Sequence, residues 1–336
     1  MDKILITGGL GYIGSHIAVT LISKGYEVII VDDLSNAVDN VLESIFKITN
    51  KKPKWYLVDV KDSEKLKEIF TWHDFKAVIH LAAFKSVKES VEFPLKYYKN
   101  NIVGLLNILE VMEEFKVKNF IFSSSCTVYG QADQMPINEQ TPLKTPLSPY
   151  GKTKQMGEMI IEDWIKATGF KAIILRYFNP IGAHPSLHLG EWIEGEPDNL
   201  LPYIIKTALK HYDYIKVYGN DYPTKDGTAI RDYIDVNDLA EAHLLALDRL
   251  LNHTIHQQEC FNIGSGYGYS VLEIINSFEK INNVKVPYKF FPKRVGDIAK
   301  AYAVFNKAHK VLKWEPKITI EESLRSAWDF HKQKLI

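Results

Sequence analysis

The sequence predicts an α/β protein built on a doubly wound parallel sheet. Short apolar runs alternate with helical segments over the first half of the chain, a glycine-rich turn follows the first apolar run, and a carboxylate follows the second. Strands that alternate with helices in this way are typical of a parallel sheet with helices on both faces. With 336 residues, 46% of them hydrophobic, the chain is long enough for one large domain or two closely packed ones.

The first strand and the turn after it give the clearest local signal. Ile4-Leu5-Ile6 is typical of a strand that is buried on both faces, and the turn has glycine at Gly8, Gly11 and Gly14. Glycine permits a tight turn, lets backbone N–H groups approach a pyrophosphate and lets the following helix pack closely on the sheet. We predict that helix over residues 15–24.

A second strand is predicted over residues 27–31 and is followed directly by Asp32. A carboxylate at this place would accept hydrogen bonds from the adenosine ribose hydroxyls and repel a 2′-phosphate. A glycine motif alone is weak evidence, because ordinary turns also need glycine. Strand, glycine turn, helix, strand and acid in this order predict a dinucleotide site that prefers NAD over NADP.

The alternation of strands and helices continues to residue 175. Further strands are predicted over residues 54–58, 77–80, 119–122 and 172–175, with helices over 63–72 and about 94–115 and a helix that contains Tyr150. The predicted sheet therefore has six strands. In parallel sheets ligands bind beyond the carboxyl ends of the strands, so we expect Asp32, Asp59, Lys85 and the run Ser123-Ser124-Ser125 to face one crevice.

In the second half of the chain the regular alternation of strands and helices stops, and the predicted elements are shorter. Residues 177–202 are rich in Gly, Pro and His and predict a loop, followed by short strands near 215–218 and 230–234 and by helices over 237–250, 270–282, 306–312 and 320–333. We therefore divide the chain into a dinucleotide-binding domain, residues 1–178, and a smaller mixed α/β substrate-binding domain, residues 179–336, with segments free to cross between the two.

Two arginines of the second half lie among loop residues. Arg231 and Arg294 would each, taken alone, be ordinary partners in surface ion pairs. A planar guanidinium binds phosphate in a bidentate manner. Two of them beside a nucleotide crevice therefore indicate an anchor for a diphosphate.

The segment Ser148-Pro149-Tyr150-Gly151-Lys152-Thr153-Lys154 is the candidate for the chemistry. Ser148 is a good N-cap and Pro149 suits a first helical turn, so Tyr150 and Lys154 lie four residues apart on one face of a helix. Lowering the pKa of a phenol from about 10 to near 7 needs roughly 4 kcal/mol, more than one exposed ammonium supplies. A second positive charge is required, and an oxidised nicotinamide would be one. Taken alone, the Tyr-x-x-x-Lys spacing is more often that of an ordinary exposed pair.

The composition argues against several functional classes. Lys plus Arg equals Asp plus Glu at 41 each, so the formal net charge is zero and nothing indicates a nucleic-acid or membrane partner. Cys126 and Cys260 are too few for a disulfide framework, and no cysteine or histidine group has the spacing of a metal site. We find neither a signal-peptide pattern nor an apolar run of membrane-spanning length, and we expect a cytoplasmic protein.

Together these residues resemble the extended short-chain dehydrogenase/reductase superfamily, and within it the UDP-glucose (UDP-galactose) 4-epimerase family. The superfamily features are GGLGYIG at residues 8–14, Ser125, and the pair Tyr150 and Lys154. The motifs more specific to the epimerases are SSSCTVYG at 123–130, LRYFNPIGAHP at 175–185, NLLPYI at 199–204, YGNDYPTKDGTAIRDYI at 218–234 and RVGD at 294–297. The resemblance runs from Ile4 to about Trp314.

The resemblance implies NAD-dependent 4-epimerisation of UDP-hexoses through a transient 4-keto sugar. Tyr150 would be the base, Lys154 would bond the nicotinamide ribose and lower the pKa of the phenol, and Ser125 would bond the sugar hydroxyl. With Tyr150 and Lys154, the NAD site would include Gly8, Gly11, Tyr12, Ile13, Gly14, Asp32, Asn36, Asp59, Val60, Leu81, Ala82, Ala83, Lys85, Asn100, Ser123 and Phe178. With Ser125 and Tyr150, the UDP-sugar site would include Lys85, Asn179, Asn199, Leu200, Tyr218, Arg231, Arg294, Asp297 and Ala301. A homodimer formed through the helices near 94–115 and 150–167 is also implied.

Some positions depart from the family pattern. Cys126 replaces a usual alanine and is expected to be a small buried residue, whereas Asp33 and Asp235 replace a common asparagine and histidine without a functional interpretation. Ala301 stands where a tyrosine is associated, within the family, with restriction to plain hexoses. A small residue there predicts turnover of UDP-GlcNAc and UDP-GalNAc as well as UDP-Glc and UDP-Gal.

Two other functions are alternatives at this point. A nucleotide-sugar 4,6-dehydratase or decarboxylase of the same superfamily would use the same hydride step, but the dehydratases have an Asp-Glu pair after the serine where this chain has Cys126-Thr127. A non-catalytic NAD-binding protein could share the fold. Such a protein would typically lose part of the Ser, Tyr and Lys set, which is intact here.

Overall fold

Strands and helices alternate from the start of the chain, as the sequence predicts. The computed structural model describes residues 1–37, 40–192, 195–252, 255, 257–294 and 297–333. The strands are β1 Lys3–Thr7, β2 Glu27–Asp32, β3 Lys54–Leu57, β4 Phe75–His80, β5 Asn119–Ser125, β6 Lys171–Tyr177, β7 Asn179–Ile181, β8 Ile215–Tyr218, β9 Ile230–Arg231, β10 Tyr233–Asp235, β11 Gln258–Ile263, β12 Tyr269–Ser270, β13 Tyr288–Phe291 and β14 Lys300–Ala301. The helices are α1 Tyr12–Ser23, α2 Val41–Thr49, α3 Ser63–Trp72, α4 Val87–Glu92, α5 Pro94–Glu114, α6 Pro149–Thr168, α7 Leu200–Ala208, α8 Val236–Leu251, α9 Val271–Asn282, α10 Asn306–Leu312 and α11 Ile320–Gln333, with a 3₁₀ helix at Cys126–Tyr129.

One parallel sheet forms the centre of the molecule. Within the described residues it has seven strands in the order β11-β6-β5-β4-β1-β2-β3, and every neighbouring pair is parallel. The strand order reverses between β1 and β4. In doubly wound sheets the ligand crevice lies at this reversal, beyond the carboxyl ends of the strands. The fold class predicted from the sequence is confirmed.

The sheet has one strand more than the six that the sequence predicts. The extra strand, β11, comes from the second half of the chain and pairs with β6 from Gln258 opposite Ala172 to Ile263 opposite Tyr177. Its first three residues are only partly buried, so the apolar run that marks a buried strand is short. Helix α8, which precedes it, packs against α1 on the same sheet. The second half of the chain therefore completes the sheet that the first half builds.

Several helix predictions need correction. Helices α2, α4 and α7 are not predicted, and the loop predicted over residues 177–202 is wrong at its ends, where β6, β7 and α7 lie. Pro202 lies in the first turn of α7, where a proline lacks only an N–H that has no helical partner. Helix α1 begins at Tyr12 rather than at residue 15, because the N–H of Ser15 already bonds the carbonyl of Gly11.

Apolar side chains cover both faces of the central sheet. Ile4 and Ile6 face a cluster that includes α1 and α8, whereas Leu5 faces the opposite cluster with α3, α5 and α6. Trp314, near the end of the chain, is fully buried in the first cluster, and its indole N–H donates to the carbonyl of Asp238 at 2.9 Å. A third cluster holds the smaller part together around Phe278 and Trp328.

No helix within the described ranges is both long and apolar enough to cross a membrane. The same residues contain no group of three His, Cys, Asp or Glu side chains arranged to hold a metal ion.

Candidate active site

The turn between β1 and α1 borders a crevice at the carboxyl edge of the sheet. Gly8 has a φ of +70°, and a Cβ there would lie 2.8 Å from the backbone nitrogen of Ala82. A Cβ on Gly14 would lie 2.1 Å from the carbonyl oxygen of Gly8. Both positions therefore require glycine. The N-terminus of α1 lines the crevice through Tyr12 and Ile13, and the helix dipole favours an anion there.

Asp32, at the end of β2, lies in the same crevice. The backbone N–H of Leu10 donates to its Oδ2 at 3.0 Å and the N–H of Leu34 donates to its Oδ1 at 2.9 Å. Burial raises the pKa of Asp32, although these backbone hydrogen bonds oppose the rise. Each carboxylate oxygen has a second lone pair available for another donor, such as a ribose hydroxyl. The glycine turn and this acid together fit a dinucleotide.

The structure brings most of the predicted cofactor residues together around this crevice. They are Gly8, Gly11, Tyr12, Ile13, Gly14, Asp32, Asn36, Val60, Leu81, Ala82, Ala83, Lys85, Asn100, Tyr150 and Lys154. The lining also includes residues that the sequence argument missed, namely Val31, Asp33, Ser35, Ala37, Val58, Phe84 and Tyr177. Tyr177 is the last residue of β6, so the strand-end rule could have found it had the strand been extended to its full length.

Three predicted cofactor residues lie outside the lining of this crevice. Asp59 forms an ion pair with Lys61 at 2.6 Å. The Ser123 hydroxyl lies 3.0 Å from Nε2 of His243, and Phe178 packs in a neighbouring apolar cluster with Tyr129. The position of Ser123 still matters to the site, because its carbonyl oxygen contacts Lys154.

Tyr150 lies in the first turn of α6 and is 9% exposed. Ser148 caps this helix by accepting a hydrogen bond from the N–H of Gly151 at 3.2 Å. Burial raises the pKa of the Tyr150 phenol to about 12, while a hydrogen bond with Ser125 acts in the opposite direction. The surroundings of the phenol therefore do not by themselves make it a base at neutral pH, and a further positive charge is required.

Lys154 lies one turn further along α6 and is buried. Its Nζ donates to the carbonyl oxygen of Ser123 at 2.7 Å and lies 4.9 Å from the centre of the Phe122 ring. Burial lowers the pKa of Lys154 to about 8, and Glu158 partly offsets this effect. Tyr150 and Lys154 are therefore not an ordinary exposed pair, because both side chains are buried beside the crevice.

A second group of charged residues lies near the short strands β9 and β14. Asp297 accepts two hydrogen bonds from Arg294, at 2.8 and 3.2 Å, and lies 3.8 Å from Arg231. The guanidinium of Arg294 stacks 4.9 Å from the centre of the Tyr218 ring. Four residues predicted to hold a UDP-sugar are therefore in one cluster. Such a cluster offers two guanidinium groups and an aromatic face to one ligand.

Cys126 connects the two groups of residues. Burial raises the pKa of its thiol to about 11, and the nearby charge of Arg231 acts against this rise. The thiol therefore stays protonated near neutral pH and is a poor nucleophile. Arg231 is therefore close enough to the segment after Ser125 for its charge to act on that thiol.

The remaining predicted substrate residues lie on several other elements. Asn179 begins β7 and donates its N–H to the carbonyl of Asp232 at 3.1 Å, while Asn199 and Leu200 begin α7. Ala301 is 4% exposed and pairs with Arg231 across β14 and β9. Lys85 in the crevice forms an ion pair with Glu191 at 3.3 Å, a contact that no sequence motif indicates.

Comparison with known proteins places this site in a family. A family model described as GDP-mannose 4,6 dehydratase matches residues 5–327. The UDP-glucose 4-epimerase of Bacillus subtilis (strain 168) is 47% identical over 326 residues, which cover 97% of this chain and 95% of that protein. The chain belongs to the UDP-glucose 4-epimerase family. This confirms the family that the sequence motifs indicate.

Solved structures of epimerases share the whole fold. The UDP-glucose 4-epimerase from Bifidobacterium longum, solved in complex with NAD+ and UDP, has a TM-score of 0.95 and 42% identity and covers 99% of each chain. The UDP-Glc/GlcNAc 4-epimerase from Campylobacter jejuni has a TM-score of 0.85 and 36% identity, over 99% of this chain and 100% of that one. The similarity to solved epimerase structures thus extends over nearly the whole chain.

Proposed function

We propose that this protein interconverts UDP-glucose and UDP-galactose by epimerisation at C4 and uses bound NAD. The observation that carries the proposal is the meeting of Tyr150, Lys154 and Ser125 beside a crevice that fits a dinucleotide. The family membership, at 47% identity over nearly the full length, supports the same activity. When bound, NAD would supply an acceptor for the hydride of C4 and then a donor of that hydride to the other face of the 4-keto sugar.

Tyr150 would remove the proton from the 4-hydroxyl group and return it after the sugar has turned. A phenol whose pKa is about 12 is a weak base at neutral pH, so the reaction needs positive charge beside it. Lys154 would supply one charge through its ammonium, and the oxidised cofactor would supply another. Ser125, whose hydroxyl bonds the phenol, would hold the sugar hydroxyl in line for proton transfer.

Arg231, Arg294 and Tyr218 would hold the UDP part of the substrate. The guanidinium groups suit the two phosphates and the ring of Tyr218 suits a flat base. The hexose must turn over between the two hydride steps, so it has to be bound more loosely than UDP. Strong contacts to the diphosphate would keep the substrate bound, and few contacts to the hexose would let it turn.

The absence of a dehydratase acid–base pair supports epimerisation over 4,6-dehydration. The residues after Ser125 are Cys126 and Thr127, whose side chains are a thiol that is half-buried rather than fully buried and a hydroxyl that donates to Ser125 at 3.0 Å. Neither can act as the acid or base for elimination at C5 and C6 near neutral pH.

The direct test is conversion of the sugars by the purified protein without added NAD. We expect UDP-galactose and UDP-glucose, incubated separately, to reach the same mixture of the two, as read by chromatography. The absence of conversion, even after NAD is added, would contradict the proposal. A 4-keto-6-deoxy product, identified by mass spectrometry, would identify a dehydratase instead.

We also propose that the N-acetylated sugars UDP-GlcNAc and UDP-GalNAc are substrates. Ala301, on β14 beside Arg231, is small and leaves more room at this position than a tyrosine would. The C. jejuni relative, a UDP-Glc/GlcNAc 4-epimerase, supports the idea that this fold accepts both kinds of sugar. Turnover of UDP-galactose without any turnover of UDP-GlcNAc would contradict this part.

The proposed assembly is a cytoplasmic homodimer in which each chain has a dinucleotide-binding part, residues 1–178, and a UDP-sugar-binding part, residues 179–336. Helices α5 and α6 support a dimer because Leu95 and Met159 on them are exposed, at 80% and 61%. Light scattering of the purified protein should give twice the chain mass of 38.5 kDa. The double variant Leu95→Glu/Met159→Glu should give the mass of one chain.

A further inference from the structure

A buried ion pair lies directly behind the catalytic lysine. Glu158 is on the same face of α6 as Lys154, one turn further from Tyr150. Arg176 of β6 donates to both carboxylate oxygens of Glu158, from Nε at 2.9 and 3.2 Å and from Nη2 at 2.5 Å. The two side chains are only 9% and 7% exposed. The proposed reaction does not use this pair.

The pair also holds the strand that carries the serine residues of the site. The hydroxyl of Ser124 donates to Glu158 Oε1 at 2.5 Å. Ser124 lies between Ser123, whose carbonyl oxygen accepts from Lys154, and Ser125, which bonds Tyr150. Glu158 therefore contacts Ser124, and the residues on either side of Ser124 contact Lys154 and Tyr150.

Further hydrogen bonds extend the network away from the crevice. Arg176 Nη1 lies 2.9 Å from the Tyr129 hydroxyl, which donates to Asn262 on β11 at 2.7 Å. Arg176 and Asn262 are opposite each other in the pairing of β6 with β11. The positive end of the ion pair is thus linked through Tyr129 to β11, and the negative end lies on the side of Lys154.

Among the described residues, Glu158 is the anionic group whose charge acts on Lys154. The other titratable groups that face it or border its contacts are Tyr150 on α6, His80 on β4, Tyr177 on β6 and His243 on α8. Burial lowers the pKa of His80 to about 3 and that of His243 to about 4, and raises the pKa of both tyrosines. These four groups are therefore neutral near pH 7. Asp32 and Lys85 line the same crevice at other positions.

We propose that Glu158 is a positioning residue that keeps Lys154 charged and holds β5 in place beside Tyr150. This inference rests on the function proposed above, in which the ammonium of Lys154 is needed for proton transfer. Loss of the anion at Glu158 would favour the neutral amine of Lys154, which is already favoured by burial. The rate would then fall at a lower pH, because the protonated lysine is the active form.

The test uses the purified holoenzyme in which the whole ion pair is replaced, Glu158→Met/Arg176→Met. Removing both partners avoids a buried unpaired charge, which removal of one would create. A matched control is Arg249→Met/Glu259→Met. It removes a second ion pair, in which Arg249 donates to both carboxylate oxygens of Glu259, at 2.5 and 2.7 Å, near the start of β11. The measurement is kcat for UDP-galactose between about pH 6 and 10, with bound NAD quantified for each protein.

We expect the alkaline fall of kcat in Glu158→Met/Arg176→Met to move to lower pH by about one unit, while the control follows wild type. Ser124→Ala keeps the charge of Glu158 but frees β5, so it should lower kcat several-fold without moving the alkaline limb. Should the methionine variant not yield folded protein, Glu158→Gln/Arg176→Gln carries the same expectation. An unmoved alkaline limb in a folded, NAD-containing variant would overturn the inference. A wild-type protein that is inactive at every pH would instead contradict the proposed function.

Discussion

The two sides of the proposed active site, one assigned to the cofactor and one to the sugar, are built differently. On the cofactor side, buried residues fix the geometry: the glycine turn leaves no room for a Cβ at Gly14, and Lys154 is 4% exposed. On the sugar side, the charged residues come from very short strands and loops, and the Arg294 side chain is 51% exposed. The difference fits an enzyme that retains its cofactor through every cycle and exchanges its substrate. Changes on the first side should affect NAD content or the chemical step, and changes on the second should affect substrate binding.

Tyr150→Phe should have the largest effect on activity. It removes the phenol oxygen and leaves the ring, so we expect kcat to fall by about 1,000-fold with NAD still bound. The measurement is epimerisation of UDP-galactose, together with release of NAD from the denatured protein. Undiminished conversion would show that the proton is removed elsewhere.

Gly14→Ala should disturb the cofactor side as a whole. The new Cβ would lie 2.1 Å from the Gly8 carbonyl oxygen, and such overpacking costs about 1–3 kcal/mol of unfolding free energy. We expect loss of bound NAD and a lower thermal midpoint. Gly11→Ala is the matched control for the fold, because its Cβ would lie at an ordinary 3.4 Å from the same oxygen. Equal midpoints for the two variants would contradict the argument.

Arg231→Met tests the sugar side. Loss of a charged hydrogen bond to the diphosphate costs about 1.5–3 kcal/mol, so KM for UDP-galactose should rise about 10- to 100-fold while NAD content stays at the wild-type level. Arg325→Met, at an exposed position of α11, is the control and should leave KM unchanged. If Arg231→Met instead loses NAD, a change on the sugar side also weakens cofactor binding, and the distinction between the two sides is wrong.

Ala301→Tyr should act on one class of sugar. The larger side chain next to Arg231 should reduce kcat/KM for UDP-GlcNAc at least about tenfold more than for UDP-galactose, since one to three kcal/mol is typical of size discrimination. Parallel assays with both sugars give the ratio. Equal losses for the two would mean that the tyrosine disturbs the fold around β14 rather than the sugar pocket.

Asp235→Asn should have the smallest effect, on stability. Burial raises the pKa of Asp235 to about 6, and its carboxylate accepts hydrogen bonds from Ser323 at 2.7 Å and from the N–H of Asn237 at 2.8 Å. A carboxyl whose folded pKa is raised stabilises the fold at low pH, and this stabilisation is lost as pH rises through 6. As the pH rises from 5 to 7, the free energy of unfolding should therefore fall by about 1 kcal/mol more for the wild type than for Asp235→Asn, as measured by chemical denaturation at each pH. The same slope for both proteins would contradict this.

Sequence patterns identify the elements that carry strong local signals. Helices α3, α10 and α11 have the predicted bounds, and the crevice proposed for the cofactor is lined by the three glycines and the one acid that the sequence singles out at the ends of apolar runs. Strand β11 escapes prediction because its position is set by pairing with β6, a contact across more than eighty residues of sequence. Its partly buried, polar first half gives no local sign of that pairing.

The environment of Tyr150 and Lys154, the proposed catalytic pair, cannot be predicted from their spacing in the sequence either. The Tyr-x-x-x-Lys pattern gives the common helix face of Tyr150 and Lys154, but not that both would be buried or that Glu158 would approach Lys154. Those features depend on Arg176 of β6 and Ser124 of β5, which the sheet brings to α6. Tyr177 was missed for a related reason, since the strand was predicted to end before it.

The late position of β11 in the chain has a consequence for synthesis of the protein. A ribosome must translate residue 263 before the outer edge of β6 can be covered, and residue 314 before Trp314 can fill its place under α8. Until then a nascent chain exposes an unpaired strand edge, which is a hazard for aggregation. Chains terminated shortly before residue 258 should therefore depend on chaperones and be degraded, even though every residue of the glycine turn is already present.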